Sequence, residues 1–170
     1  MTAWPVRWDA GRVEECAIQF DVPGLAWSGG APQPFIVSSE ERTLIGFYAR
    51  GEDAEQTDSD AVTVAELVGC TSVKFGFPND EVLHGHRLYD AGLGYYGLHE
   101  VDNSAWLIEL RAIEAVHEHA PEVPFENARH YVLTFHDSTL EAIAHDVRLV
   151  GSYGTRAEAV QRMTLLAGIS

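Results

Sequence analysis

The sequence predicts an α+β fold: a mainly antiparallel β-sheet, roll or sandwich-like, with one central and one C-terminal helix. Three observations predict it. Short segments that alternate apolar and polar residues recur along the chain, as half-buried strands do. They are joined by turns rich in Pro, Gly and Asp, without the regular strand–helix alternation of a parallel sheet. Only two stretches pair helical spacing with an N-cap signal. With 170 residues, 46% of them apolar, the chain suits a single domain over 1–170 that buries roughly 70% of its unfolded surface.

The elements follow in order. Residues 14–21 alternate as a strand and place Cys16, Ile18 and Phe20 on one face, expected to point inward. A loop broken by Pro23, Gly24, Gly29 and Gly30 follows. Residues 34–38 and 43–50 read as a hairpin. Residues 51–60 are acidic, but lack the Gly and closing Glu of a calcium loop, which favours a solvated loop. Residues 62–68 and 72–77 are strands around Gly69-Cys70-Thr71, and Pro78-Asn79-Asp80 turns the chain. Residues 92–101 place Tyr95, Gly97 and His99 on one face if extended.

Asp102, Asn103 and Ser104 offer N-caps to a helix in which Trp106, Leu110, Ile113 and His117 recur, and Pro121 stops it. His117 and His119 fall in its last turn, where the dipole favours imidazolium. Residues 129–136 form a strand with Tyr131, Leu133 and Phe135 on one face and His130, Val132, Thr134 and His136 on the other. A further strand runs to Val150, although Ser138-Thr-Leu-Glu141 also reads as a capping box that would open a helix. Thr155-Arg-Ala-Glu158 is a second capping box, opening a C-terminal helix that Gly168 ends. The total is about eight strands.

Charge narrows the function. The net charge is −15, with only eleven Lys and Arg. Nucleic acid and anionic membranes draw affinity from clustered cations, so neither is an expected partner. No apolar run reaches the ~20 residues of a membrane helix. The N-terminus lacks signal-peptide character, and Cys16 and Cys70 form no CxxC motif, so a cytoplasmic setting is expected.

All eight histidines lie beyond residue 83. His84 and His86 are two apart, and on a strand both imidazoles would share a face about 7 Å apart at Cα. Imidazoles with a carboxylate such as Asp90 suit a divalent transition metal. A second candidate face comes from Thr134-Phe-His-Asp-Ser-Thr-Leu-Glu141. If Asp137-Ser138 is a two-residue turn, His136 pairs with Thr139, Thr134 with Glu141, and His130 with His145. Ser138 or Thr139 could then lie beside a base, but an Asp/Ser turn with its own side-chain-to-backbone bonds is favoured.

Gly76, His84, His86, Asp90 and Gly97 resemble the first motif of cupins, with Asp90 where those proteins usually carry Glu. The resemblance implies a metal held by His84, His86 and Asp90. More broadly, Phe75-Gly-Phe-Pro-Asn-Asp-Glu81, Gly85-His-Arg-Leu-Tyr89 and Phe135-His-Asp-Ser-Thr-Leu-Glu141 are similar to a group of small bacterial proteins with no assigned activity. That resemblance implies a bacterial cytoplasmic protein.

Two functional expectations follow. The first is an accessory or binding protein whose polar, histidine-bearing face holds a small ligand or a protein partner. His86, Tyr89, His99, His136, Asp137 and Glu141 are its candidate ligand-binding residues, and a homodimer is compatible with it. The second is a cupin-like metal-dependent enzyme. The first ranks ahead, because no complete catalytic signature is present.

Overall fold

In the computed structural model, residues 14–25, 27, 32–49, 61–118 and 125–169 are described. The acidic loop 51–60, Trp4, Trp8 and His119 lie outside them. Nine strands form among the described residues: β1 (Cys16–Phe20), β2 (Phe35–Ser38), β3 (Thr43–Tyr48), β4 (Val62–Val68), β5 (Ser72–Gly76), β6 (Gly97–Asp102), β7 (Arg129–Thr134), β8 (Thr139–Ala144) and β9 (Asp146–Tyr153). All pairings are antiparallel. The five-stranded sheet runs β1-β6-β7-β8-β5, and the four-stranded sheet β2-β3-β4-β9. The fold is sandwich-like, with helix α1 (Ala105–Glu114) in the middle of the chain and helix α2 (Arg156–Leu166) at its end.

The core between the sheets follows from strand alternation. Leu98, Tyr131, Leu133, Leu140, Ala142 and Ala144 of the five-stranded sheet meet Ile45, Phe47, Ala65, Leu67 and Val147 of the other. Trp27 closes one end, stacked on Phe47 at 5.1 Å between centroids. On the outer face of the four-stranded sheet, α2 buries Ala159, Met163 and Ala167 against Leu44, Val62 and Val64. Its start carries the expected capping box: Thr155 Oγ1 accepts from the Glu158 N–H, and Glu158 accepts from the Thr155 N–H.

The sheets share one bent ribbon. β4 pairs with β9 in one sheet, and β5 with β8 in the other. The chain therefore crosses between sheets at Gly69–Thr71 and again at His145. The expected strand running to Val150 breaks there. The His145 N–H donates to Val68 O at 2.8 Å, and the Thr71 N–H to Ile143 O at 2.9 Å. Gly69, at φ +60°, is required: a Cβ there would lie 2.6 Å from His145 Nδ1.

Three expectations are corrected. Cys16 is exposed and Ile18 is 49% exposed, because β1 is an edge strand whose core-side face the second sheet leaves largely uncovered. α1 ends at Glu114, so His117 lies in the turn beyond it. His84 and His86 are not on a strand. Residues Asp80–Gly85 and Tyr89–Ala91 form two 3-10 turns that bury Leu83, Leu88 and Leu93 against Ala17, Val101 and Val132. No helix among the described residues is long and apolar enough to cross a membrane.

Candidate functional site

The outer face of the five-stranded sheet carries the polar side chains in rows. Register places Lys74, Glu141, Val132, His99 and Gln19 side by side, with Ser72, Ile143, His130, Val101 and Ala17 in the next row. The β7–β8 connection is a four-residue loop, Phe135–Ser138, closed by the Phe135 N–H donating to Ser138 O at 2.9 Å. Thr134 therefore pairs with Thr139, Val132 with Glu141, and His130 with Ile143. The expected partners are displaced by two residues. A two-residue slip keeps every side chain on its face, so His130 and Glu141 still share one. The 3-10 segment 80–92 and α1 cover this face, and one histidine–carboxylate cluster sits at the start of the segment and another at its middle.

The first cluster is at the start of the segment. The Asp80 N–H donates to His136 O at 2.9 Å, and Thr139 Oγ1 donates to Pro78 O at 2.9 Å, which ties the segment to the β7–β8 loop. His136 Nδ1 then lies 2.7 Å from Asp80 Oδ2. The Tyr96 hydroxyl donates to the same oxygen. Tyr96 stands at φ +51°, a left-handed conformation uncommon outside glycine, which marks a position held by its surroundings.

Those bonds set the protonation states. The hydrogen bonds from Tyr96 and then His136 hold the Asp80 carboxyl below its usual range. The bond to Asp80, and then its charge, raise His136. The same carboxylate pushes Tyr96 up to about 12. A carboxylate facing Nδ1 fixes the ring proton there in the neutral form, leaving Nε2 as the free atom. The His136 side chain is 45% exposed, while Asp80 is mostly covered at 13%. Asp80 Oδ1 and Ser138 Oγ are buried and have no hydrogen-bond partner among the described residues. Exposed Tyr95 lies 6.2 Å from the Tyr96 ring, and Tyr89 meets Tyr95 edge-on at 6.1 Å.

The second cluster is at the middle of the segment, where His86 and Arg87 lie between the two 3-10 turns. Glu141 Oε2 accepts from Arg87 at 2.8 Å and lies 3.0 Å from His130 Nε2, and Oε1 lies 3.7 Å from His86 Nε2. The His130 N–H is not aligned on its carboxylate, so Nε2 has a close ionic contact without a well-formed hydrogen bond. Burial raises the Glu141 carboxyl, but His130, His86 and Arg87 together outweigh it and leave the group well below the carboxylate range. Burial lowers His130. The Leu88 N–H donates to His86 Nδ1 at 3.2 Å, which puts that ring's proton on Nε2, towards Glu141. Ser104 Oγ accepts from the Leu107 N–H as the α1 N-cap and bonds His130 Nδ1 at 2.8 Å. Arg87 also bonds Glu15, which accepts from the Ala105 N–H. The cluster thus joins the residue before β1, β7, β8, the 3-10 segment and the start of α1.

The remaining candidates fall elsewhere. His99 is fully buried, and its Nε2 accepts from the Gly94 N–H at 3.0 Å, bracing the loop before β6. Asp137 is 68% exposed and approaches His136 Nε2 only to 4.0 Å. Thr139 Oγ1 is engaged by Pro78 O. His84 and Asp90 are exposed on separate turns. Among the described residues no three or more His, Cys, Asp or Glu side chains are arranged to hold a metal ion.

The sequence reading missed Asp80, Tyr96, Arg87, Glu15 and Ser104. Asp80 reads as a turn residue and Ser104 as a cap, which both are; their second bonds come from distant strands. No protein-family model, curated protein or solved structure matches the chain.

Proposed function

We propose that this is a binding protein that holds a small, planar, uncharged or cationic ligand at His136. The observation that carries this reading is the oriented imidazole: Nδ1 is locked on Asp80, which also holds the Tyr96 hydroxyl, and the ring is 45% exposed. The exposed Tyr95 ring offers a stacking surface. Asp80, Asp137 and Glu81 all act on His136 with negative charge, and the whole chain carries −15, so an anion is disfavoured. The second cluster acts as the clasp that seats the 3-10 segment. Two free cysteines support a reducing compartment, hence the cytoplasm.

Benzamide, benzamidine and benzoate test this with one ring and three charges. Each is titrated into protein with isotope-labelled histidine side chains, observed by NMR. Benzamide and benzamidine should shift the His136 ring signals and lose that effect in His136→Ala, while benzoate should not bind. Equal binding of all three, or shifts that survive the substitution, would overturn the reading.

A further inference from the structure

Building on that ligand site, we infer that His136 and Asp80 form a general-base dyad that activates water against an uncharged carboxylic ester carrying an aromatic group. Two groups from distant chain segments, the His136 Nδ1–H and the Tyr96 hydroxyl, converge on one oxygen of the Asp80 carboxylate. Asp80 and Tyr96 are positioning residues. They hold the imidazole with its proton on Nδ1, which leaves the Nε2 lone pair free to take a proton. A histidine used only as a surface donor needs no covered carboxylate at its back. Here Asp80 is 13% exposed, with Oδ1 buried and unpartnered among the described residues. The carboxylate stabilises the imidazolium that proton uptake creates.

The step balances without a further reactant. His136 Nε2 removes a proton from water as the water oxygen bonds to the ester carbonyl carbon. The resulting tetrahedral intermediate expels the alcohol oxygen, which takes the proton from the imidazolium. The products are the carboxylic acid, the alcohol and neutral His136. An ester suits the site because it is uncharged beside Asp80, Asp137 and Glu81. The exposed ring of Tyr95, next in sequence to the Tyr96 that bonds Asp80, offers a stacking face for an aromatic alcohol portion.

The probe is 4-nitrophenyl acetate, followed by release of 4-nitrophenolate from the full chain. The rate should rise with pH through the titration of His136 and be markedly slower in deuterium oxide, as proton transfer from water requires. His136→Gln should lower it by about tenfold or more. Asp80→Asn should lower the rate and move the pH inflection down towards an ordinary histidine near ~6.5, which a merely structural role would not do. Tyr96→Phe should shift it in the opposite direction, because the carboxylate loses a competing donor. His84→Gln, an exposed histidine outside the site, should leave rate and inflection unchanged. Circular dichroism confirms that each variant is folded. Hydrolysis that persists in His136→Gln, an inflection that ignores Asp80→Asn, or no solvent isotope effect would overturn the dyad. The ligand reading is judged separately by the benzamide titration: binding there without His136-dependent hydrolysis removes the dyad alone.

Discussion

Replacing Glu141 by Leu tests whether the clasp holds the 3-10 segment on the sheet. The side chain is 13% exposed and its main partner, His130, is fully buried. Removing the carboxylate strips the buried His130 Nε2 of its 3.0 Å ionic contact, which costs about 1–3 kcal/mol. Arg87 is 39% exposed and keeps Glu15, so its lost bond adds at most about 1 kcal/mol. His86 at 3.7 Å is beyond hydrogen-bond distance and adds little. The total is about 1–4 kcal/mol, overlapping the lower part of the range for breaking a buried ion pair. Urea unfolding of wild type, Glu141→Leu, His130→Phe and the double variant measures it. The double variant should lose less than the sum of the singles, by at least about 0.5 kcal/mol. The pH dependence has a definite sign. The folded carboxyl is depressed, so its contribution is full above the unfolded value near ~4.3 and is lost as pH falls from there towards the folded value. Strict additivity, or a Glu141→Leu cost within about 0.5 kcal/mol of zero, would refute the clasp.

Other perturbations read different parts of the fold. By NMR, His136 should titrate above the ordinary histidine value, and Asp80→Asn should lower it. The contribution of His136 to stability is therefore lost as pH rises through its folded value, and that of Asp80, whose carboxyl is lowered, as pH falls through its own. Gly92→Ala should cost more than about 1 kcal/mol in thermal unfolding, because φ is +103° and the new Cβ would lie 2.5 Å from the Ala17 carbonyl oxygen. Thr155→Ala should cost about 1 kcal/mol in urea, since the Glu158 N–H loses its Oγ1 acceptor while the bond from the Thr155 N–H to Glu158 is kept. Met163→Ala, at a fully buried position between α2 and its sheet, should cost about 2–5 kcal/mol.

Much of the fold was legible because strand alternation and caps are local signals. The α2 capping box, the β2–β3 hairpin and the face shared by His130, Thr134 and Glu141 all follow from short-range pattern. What was not legible depends on partners distant in sequence. His84-Gly-His86 alternates as a strand would, yet Leu83, Leu88 and Leu93 find a buried surface only if the segment coils across Ala17, Val101 and Val132. Cys16 alternates with apolar neighbours, but an edge strand at a sandwich margin has no opposing sheet to cover it. Asp80 and His136 are 56 residues apart, and nothing local to either announces the other.

Both clusters use a histidine against a carboxylate, and exposure assigns them different work. At Glu141 the histidine is fully buried, its second nitrogen is taken by Ser104, and the carboxylate is further held by Arg87. The low-dielectric setting strengthens those contacts, and with Nδ1 bonded to Ser104 and Nε2 buried against Glu141 the ring offers no atom to a ligand. At Asp80 the order is reversed. The carboxylate is the covered partner, and the histidine stands half in solvent with Nε2 unengaged. Water screens that pair, so its contribution to stability is small. A covered carboxylate, a left-handed Tyr96 and an unpartnered Oδ1 are then hard to explain by stability alone. They are accounted for if the geometry serves the free nitrogen. On that reasoning the 3-10 segment is fastened to Glu141 at its middle so that Asp80 at its start can hold His136 in place.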